Sequence, residues 1–214
     1  MIYFTRHGES VANVADRSGE PRPEDADRLS ERGWEQARGV GERLRGERIE
    51  LIVASHYRRA QETAEAIAQV LALPVETEPA LHEVRQSDAY YAASPDFGGK
   101  GTISWMPRAD PDHAEPGAES FNQIVARVRT VQQRLARDAD ERRVLAVSHW
   151  GFLHFFLGVT LFGDRFEPAH LDAIYRVNHA NTGISIFERR EAWAIDGVGF
   201  SGWGLTTWND QGHL

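Results

Sequence analysis

Three short runs in this chain combine histidine and arginine in a way that suits phosphate chemistry: Thr5-Arg6-His7-Gly8, Ser55-His56-Tyr57-Arg58-Arg59 and Ser148-His149-Trp150-Gly151. Histidine offers a neutral imidazole nitrogen near physiological pH, and arginine offers a permanent cation whose planar donors fit phosphate oxygens two at a time. Each run follows or closes a short apolar stretch that reads as a buried strand: Ile2-Tyr3-Phe4-Thr5, Leu51-Ile52-Val53-Ala54 and Val144-Leu145-Ala146-Val147. Parallel strands end on one edge of their sheet, so two histidines and two or three arginines far apart in sequence would converge on one pocket. A phosphate monoester is the ligand that such a pocket suits.

The intervening segments supply the elements that must position these ends. From Ser30, a natural N-cap, the residues Trp34, Ala37, Val40, Gly41 and Leu44 recur at helical spacing. Ala60, Ala64, Ile67, Ala68 and Leu71 form a second stripe, which Pro74 is expected to stop. Phe121, Ile124, Val125, Val128, Val131 and Leu135 mark a third helix, and the apolar stretch from Phe152 to Leu161 a buried one. Ile184-Ser185-Ile186-Phe187 reads as a further strand, followed by a glycine- and tryptophan-rich tail of strands and loops. Strands alternating with helices predict the α/β class, as a three-layer α/β/α sandwich with a mostly parallel central sheet and ligands outside the carboxyl ends of the strands. Between about Pro79 and Pro116 periodicity disappears while Pro, Gly, Asp and the aromatics Tyr90, Tyr91, Phe97 and Trp105 accumulate. The expectation is a single domain over residues 1–214 with an irregular, substrate-covering insertion at about 84–118.

Composition bounds the partners. The chain has 214 residues, 41% hydrophobic and 26% charged, and 24 Lys+Arg against 32 Asp+Glu give a formal net charge of −8. That field repels nucleic acid and anionic membranes, so neither is an expected partner, although a local basic pocket still attracts a small anion. Without cysteine there is no disulfide framework, thiolate nucleophile or cysteine-ligated zinc. His149 and His154, five positions apart, miss the i, i+4 placement of helical metal ligands, and no His-Glu-x-x-His pattern occurs. No metal and no cofactor are expected. Residues 1–6 reach a charge too soon for a signal peptide, and no apolar run approaches a membrane span of about 18 residues. The expected setting is the cytoplasm.

The ordered set of motifs resembles the histidine phosphatase superfamily, also called the phosphoglycerate mutase-like family. The resemblance rests on Arg6-His7-Gly8-Glu9-Ser10 with Asn13, Leu29-Ser30-Glu31-Arg32-Gly33 with Gln36-Ala37, Ser55 with Arg59-Ala60 and Thr63-Ala64, and Val147-Ser148-His149. It spans roughly residues 2–155 in the family's order and spacing, and the ending Trp208-Asn209-Asp210 with His213-Leu214 also looks like several bacterial phosphatases of that family. The resemblance implies a phosphoglycerate mutase-like fold, with His7 as the nucleophile that accepts a phosphoryl group and Arg6, Arg59 and His149 as the phosphate clamp. It makes Glu83, in Leu81-His82-Glu83, the acid that protonates the leaving oxygen. Ser10, Asn13 and Trp150 are expected substrate contacts. Trp150 departs from the pattern, because many members carry Gly or Asn after this histidine. Of the adjacent arginines, Arg59 matches the clamp, whereas Arg58 reads as a surface partner of Glu62.

The core motif serves hydrolysis and isomerisation alike. After the glutamate, phosphoglycerate mutases typically continue Arg-His-Tyr-Gly, whereas this chain reads Val84-Arg85-Gln86-Ser87-Asp88. The expected activity is therefore hydrolysis of a small phosphate ester through a phosphohistidine intermediate. A cofactor-dependent mutase and a catalytically idle phosphate-binding member are the alternatives.

Overall fold

A computed structural model of the chain describes residues 1–89, 110–195 and 198–214. Tyr90, Tyr91, Phe97 and Trp105, and with them most of the expected insertion, lie outside the described residues. The described elements are β1 (Ile2–Arg6), α1 (Val11–Ser18), α2 (Glu31–Leu44), β2 (Leu51–Ala54), α3 (Arg58–Leu71), β3 (Val75–Thr77), α4 (Phe121–Glu141), β4 (Val144–Ser148), α5 (Trp150–Phe162), α6 (Leu171–Ile174), β5 (Ile184–Ile195) and β6 (Val198–Asp210). The six strands form one sheet in the order β3-β2-β4-β1-β5-β6. β3, β2, β4 and β1 run parallel, and β5 and then β6 add antiparallel to β1.

Strand alternation divides the core into two layers. Ile2, Phe4, Leu51, Val53, Val144 and Ala146 face α4 and α5, while Tyr3, Ile52, Ala54, Leu145 and Val147 face α2 and α3. Period-2 side chains buried on both faces are what a covered parallel sheet requires, and they explain why β1, β2 and β4 read as unbroken apolar runs. The expected three-layer α/β/α sandwich is the observed architecture.

Several elements differ from their expected bounds. The α3 helix ends at Leu71 because Ala72 takes a left-handed conformation (φ 55°), two residues before Pro74. The eight-residue α1 and three-residue β3 were not foreseen, and β5 extends to Ile195 rather than Phe187, paired with a 13-residue β6 in the tail.

Helix α4 does more than cover the sheet. Arg127 donates Nε and Nη2 to the two carboxylate oxygens of Glu119, both at 2.8 Å, and Nη1 to the carbonyls of Ala80 and His82 at 2.9 and 2.8 Å. Glu119 also accepts the Arg85 amide at 3.0 Å. This buried pair thus fastens the segment on either side of Glu83 to α4. Removing one partner of such a pair leaves an uncompensated buried charge, at about 3–5 kcal/mol. Arg127→Leu should lose that much stability in urea unfolding, and a loss below about 1 kcal/mol would show that Glu119 does not depend on it.

Candidate active site

The three strand ends meet as their register demands. Arg6 of β1 lies opposite Ser148 of β4, and the His7 amide continues the ladder by donating to the Ser148 carbonyl at 2.9 Å. His7 and His149 thereby come side by side with ring centroids 5.2 Å apart. Ser55, at the end of β2, and Arg59, in the first turn of α3, close the third side. Gly8 is required here because a Cβ would sit 2.5 Å from the Gly33 carbonyl oxygen. That close approach brings the N-terminus of α2 against the turn, while the Gly8 amide donates to Thr63 Oγ1 at 2.9 Å.

Arg59 organises the centre. Its Nε donates to His7 Nε2 at 3.1 Å and its Nη2 meets His149 Nδ1 at 3.0 Å. A guanidinium has no acceptor, so both ring nitrogens must present lone pairs. The other nitrogens then carry the protons: His7 Nδ1 donates to the Gly8 carbonyl at 2.8 Å and His149 Nε2 to Ser55 Oγ at 2.8 Å. Burial first, then the Arg59 and Arg6 charges, hold His7 far below the ordinary histidine range; burial, Arg59 and the neighbouring His7 do the same to His149. Asp27 orients the guanidinium through Nη1 and also accepts the Arg58 amide at 2.9 Å. Arg58 itself pairs with Glu62 at 2.7 Å on the surface.

Arg6 donates Nη1 to the His179 carbonyl at 3.0 Å, and its Nε is buried with no partner among the described residues. Burial, reinforced by Arg59 and offset in part by Glu83, brings Arg6 down to about 10, which still leaves it cationic at neutral pH. Glu83 sits at the N-terminus of α5, where its carboxylate accepts the Gly151 and Phe152 amides at 3.3 and 3.1 Å. It takes the place of a capping side chain for a helix that has none of its own. Gly151 makes this possible, since a Cβ would come within 2.7 Å of the Glu83 carboxylate.

These groups line one cavity of about 490 Å³, whose walls include Arg6, His7, Ser10, Asn13, Arg59, Glu83 and Trp150. His149 stands behind Arg59, fully buried. Ser10 lines the cavity, but its Oγ caps α1 by accepting the Asn13 amide at 3.2 Å, and Asn13 Oδ1 answers the Ser10 amide at 3.2 Å. Asn13 Oδ1 also accepts from Asn181, which leaves its amide nitrogen as the group to offer a ligand. Among the described residues, no cluster of three histidine or carboxylate side chains is arranged for a metal. His154 is engaged instead with the Trp150 and Val177 carbonyls, each at 2.6 Å.

Sequence reasoning missed Asn181. Its Nδ2 donates to the His7 carbonyl at 3.0 Å and to Asn13 Oδ1 at 3.1 Å, and the next residue, Thr182, donates its amide to the Arg6 carbonyl at 3.1 Å. The signal lies in direction: an antiparallel strand beside β1 begins where β1 ends, so the polar residues before Ile184 belong to this edge.

A family model described as the histidine phosphatase superfamily (branch 1) matches residues 2–199, and the chain belongs to that superfamily. A probable phosphoglycerate mutase GpmB of Erwinia tasmaniensis is 29% identical over 226 residues, covering 100% of this chain and 94% of that protein. The adenosylcobalamin/alpha-ribazole phosphatase of Escherichia coli K12 is 32% identical over 158 residues, 71% of this chain and 74% of that protein. Among solved structures, the alpha-ribazole phosphatase of Shigella flexneri is similar with a TM-score of 0.68 at 25% identity, over 98% and 96% of the two chains. A mycobacterial glucosyl-3-phosphoglycerate phosphatase complexed with VO3 shares the fold with a TM-score of 0.70 at 24% identity, over 97% and 98%.

The neutral histidines link stability to pH. His7 and His149 are held well below their ordinary value, and burial brings His179 down to about 3. Unfolding restores a value near 6.5, so the unfolded chain takes up protons that the folded one refuses, and stability is lost as pH falls through about 6.5. Each group should cost up to about 1.4 kcal/mol by pH 5.5, about 4 kcal/mol for the three. Urea midpoints at pH 7.5 and 5.5 measure this, and equal midpoints would mean that these rings accept protons in the folded state.

Proposed function

We propose that this chain is a metal-independent phosphomonoester hydrolase that acts on small phosphorylated metabolites through a phosphohistidine intermediate. The observation that carries the reading is the unprotonated Nε2 of His7, held by Arg59 and facing a cavity that also contains Arg6 and Glu83. The ester enters as its monoanion, passes its proton to Glu83 and takes over the Arg59 and Arg6 donors as the dianion, which leaves the His7 lone pair free for in-line attack. The N–P bond forms as the P–O ester bond breaks, the arginines hold the charge on the equatorial oxygens, and Glu83 gives its proton to the leaving alkoxide. Water then attacks the phosphohistidine and passes a proton to Glu83, which releases inorganic phosphate and restores both groups. The permanent cations supply the charge neutralisation that a metal supplies elsewhere.

A mutase reading is favoured by one observation, the full-length likeness to proteins named probable phosphoglycerate mutase. Against it stands Val84-Arg85-Gln86 in place of Arg-His-Tyr-Gly. Phosphate release with chelator present, measured beside an isomerisation assay with and without a bisphosphate primer, separates the two. Release that survives chelator supports hydrolysis; primer-dependent isomerisation with negligible release overturns it.

Wild-type protein quenched in alkali after brief contact with a labelled phosphate ester should carry acid-labile label, and His7→Ala should carry none. A label retained in His7→Ala would move the nucleophile elsewhere. Glu83→Gln removes the proton donor while its remaining carbonyl oxygen can still accept an α5 amide, so kcat should fall about 10²–10⁴-fold for alkyl phosphates and far less for aryl phosphates with good leaving groups. Equal losses on both classes would assign Glu83 a structural task only.

A further inference from the structure

The outer part of the cavity has a chemistry of its own. Beyond the phosphate end its wall includes Tyr57, Trp150 and Tyr175. Trp150 stacks on Tyr175 with centroids 5.0 Å apart and planes 12° from parallel, and both rings pack on His154. Tyr57 is held by the Arg59 guanidinium, 4.9 Å from its ring centroid, and by the edge of His149 at 5.1 Å. Locked aromatic side chains offer apolar surface at little entropic cost, and they favour flat or cyclic partners.

Two further observations narrow the ligand. Gln86 lines the same cavity, and its Oε1 is buried with no hydrogen-bond partner among the described residues. A buried acceptor left unpaired is costly, so the site fits a ligand that brings an O–H or N–H to it. Charge points the other way. Beyond Arg6 and Arg59, the described lining residues hold one further arginine, Arg22, which is bound by both oxygens of Asp16 at 2.6 Å each. Asp27, also on the wall, is already engaged with Arg59. A second phosphate or a carboxylate on the ligand would therefore meet two carboxylates and an arginine already neutralised.

We infer that the substrate is the phosphomonoester of a ring-bearing, otherwise uncharged alcohol, whose ring lies against the Trp150–Tyr175 and Tyr57 walls while a donor group on it reaches Gln86 Oε1. This rests on the phosphate end being the reacting end. It excludes acyclic phosphates with a second anionic group as preferred ligands. Trp150, where this chain departs from the family pattern, and Gln86, in the run that departs from the mutases, are then specificity-determining residues.

Dissociation constants in a His7→Ala background, where turnover does not interfere, test the inference with four probes. A nucleoside 5′-monophosphate has ring and donor, p-nitrophenyl phosphate a ring alone, glycerol 3-phosphate donors without a ring, and 3-phosphoglycerate a second anion. The nucleoside monophosphate should bind about tenfold tighter than glycerol 3-phosphate, as expected for one ring against aromatic side chains, and 3-phosphoglycerate weakest. Adding Trp150→Ala should bring the first two within about threefold, whereas Trp150→Phe should keep most of the preference; the pair separates a lost wall from a lost fold. Gln86→Leu should weaken the nucleoside monophosphate more than p-nitrophenyl phosphate. Tighter binding of 3-phosphoglycerate, or a preference unchanged in Trp150→Ala, overturns the inference. Wild-type phosphate release is read separately: ring preference without release would overturn the hydrolase reading and keep the wall, and release without ring preference would do the reverse.

Discussion

A guanidinium can only donate, and placing one between two imidazoles settles the state of both. Arg59 reaches His7 Nε2 and His149 Nδ1 at once, so each ring must turn a lone pair inward and send its proton outward, to the Gly8 carbonyl and to Ser55. Much of the surrounding structure serves this arrangement. The parallel register of β1 and β4 brings the two rings together, the N-terminal turn of α3 delivers the arginine, and Asp27 fixes the guanidinium from outside. A lysine could not replace it, because a single ammonium has neither the span nor the planar geometry to address both nitrogens.

The same arrangement concentrates positive charge at the sheet edge. Arg6 and Arg59 are two cations beside two neutral rings, and Arg6 is depressed by burial and by Arg59. Asp27 answers Arg59 from one side, while Glu83 is committed to the α5 amides on the other. The Nε of Arg6 is a buried donor with no acceptor among the described residues. Two guanidinium groups thus face one cavity from different elements, Arg6 from β1 and Arg59 from α3.

What was legible in the sequence follows from where the chemistry sits. His7, Arg59 and His149 stand at or just beyond the ends of strands buried on both faces, and such strands announce themselves as apolar runs. The helices α2, α3, α4 and α5 carry long stripes and were equally visible. By contrast, Asn181 and Thr182 enter from the start of an antiparallel strand, and nothing local in the sequence shows that β5 lies against β1. Arg127 and Glu119 were hidden because a buried ion pair looks like two surface charges until the fold brings them onto the Ala80 and His82 carbonyls. The α1 helix is short and opens on a capping box, so its residues read as part of the motif rather than as an element, and β6 was obscured by its glycines.

The division of labour between sheet and helix gives the site its logic. Arg6, His7 and His149 stand at the sheet edge, where register leaves little freedom. Glu83 and the Trp150 ring belong to a different layer, the N-terminus of α5 and the segment that Arg127 fastens to α4. Trp150 lies at the junction of the two. It opens the helix whose next two amides hold Glu83, while its ring stacks on Tyr175. The glycine after Trp150 is what leaves room for the Glu83 carboxylate between helix and sheet.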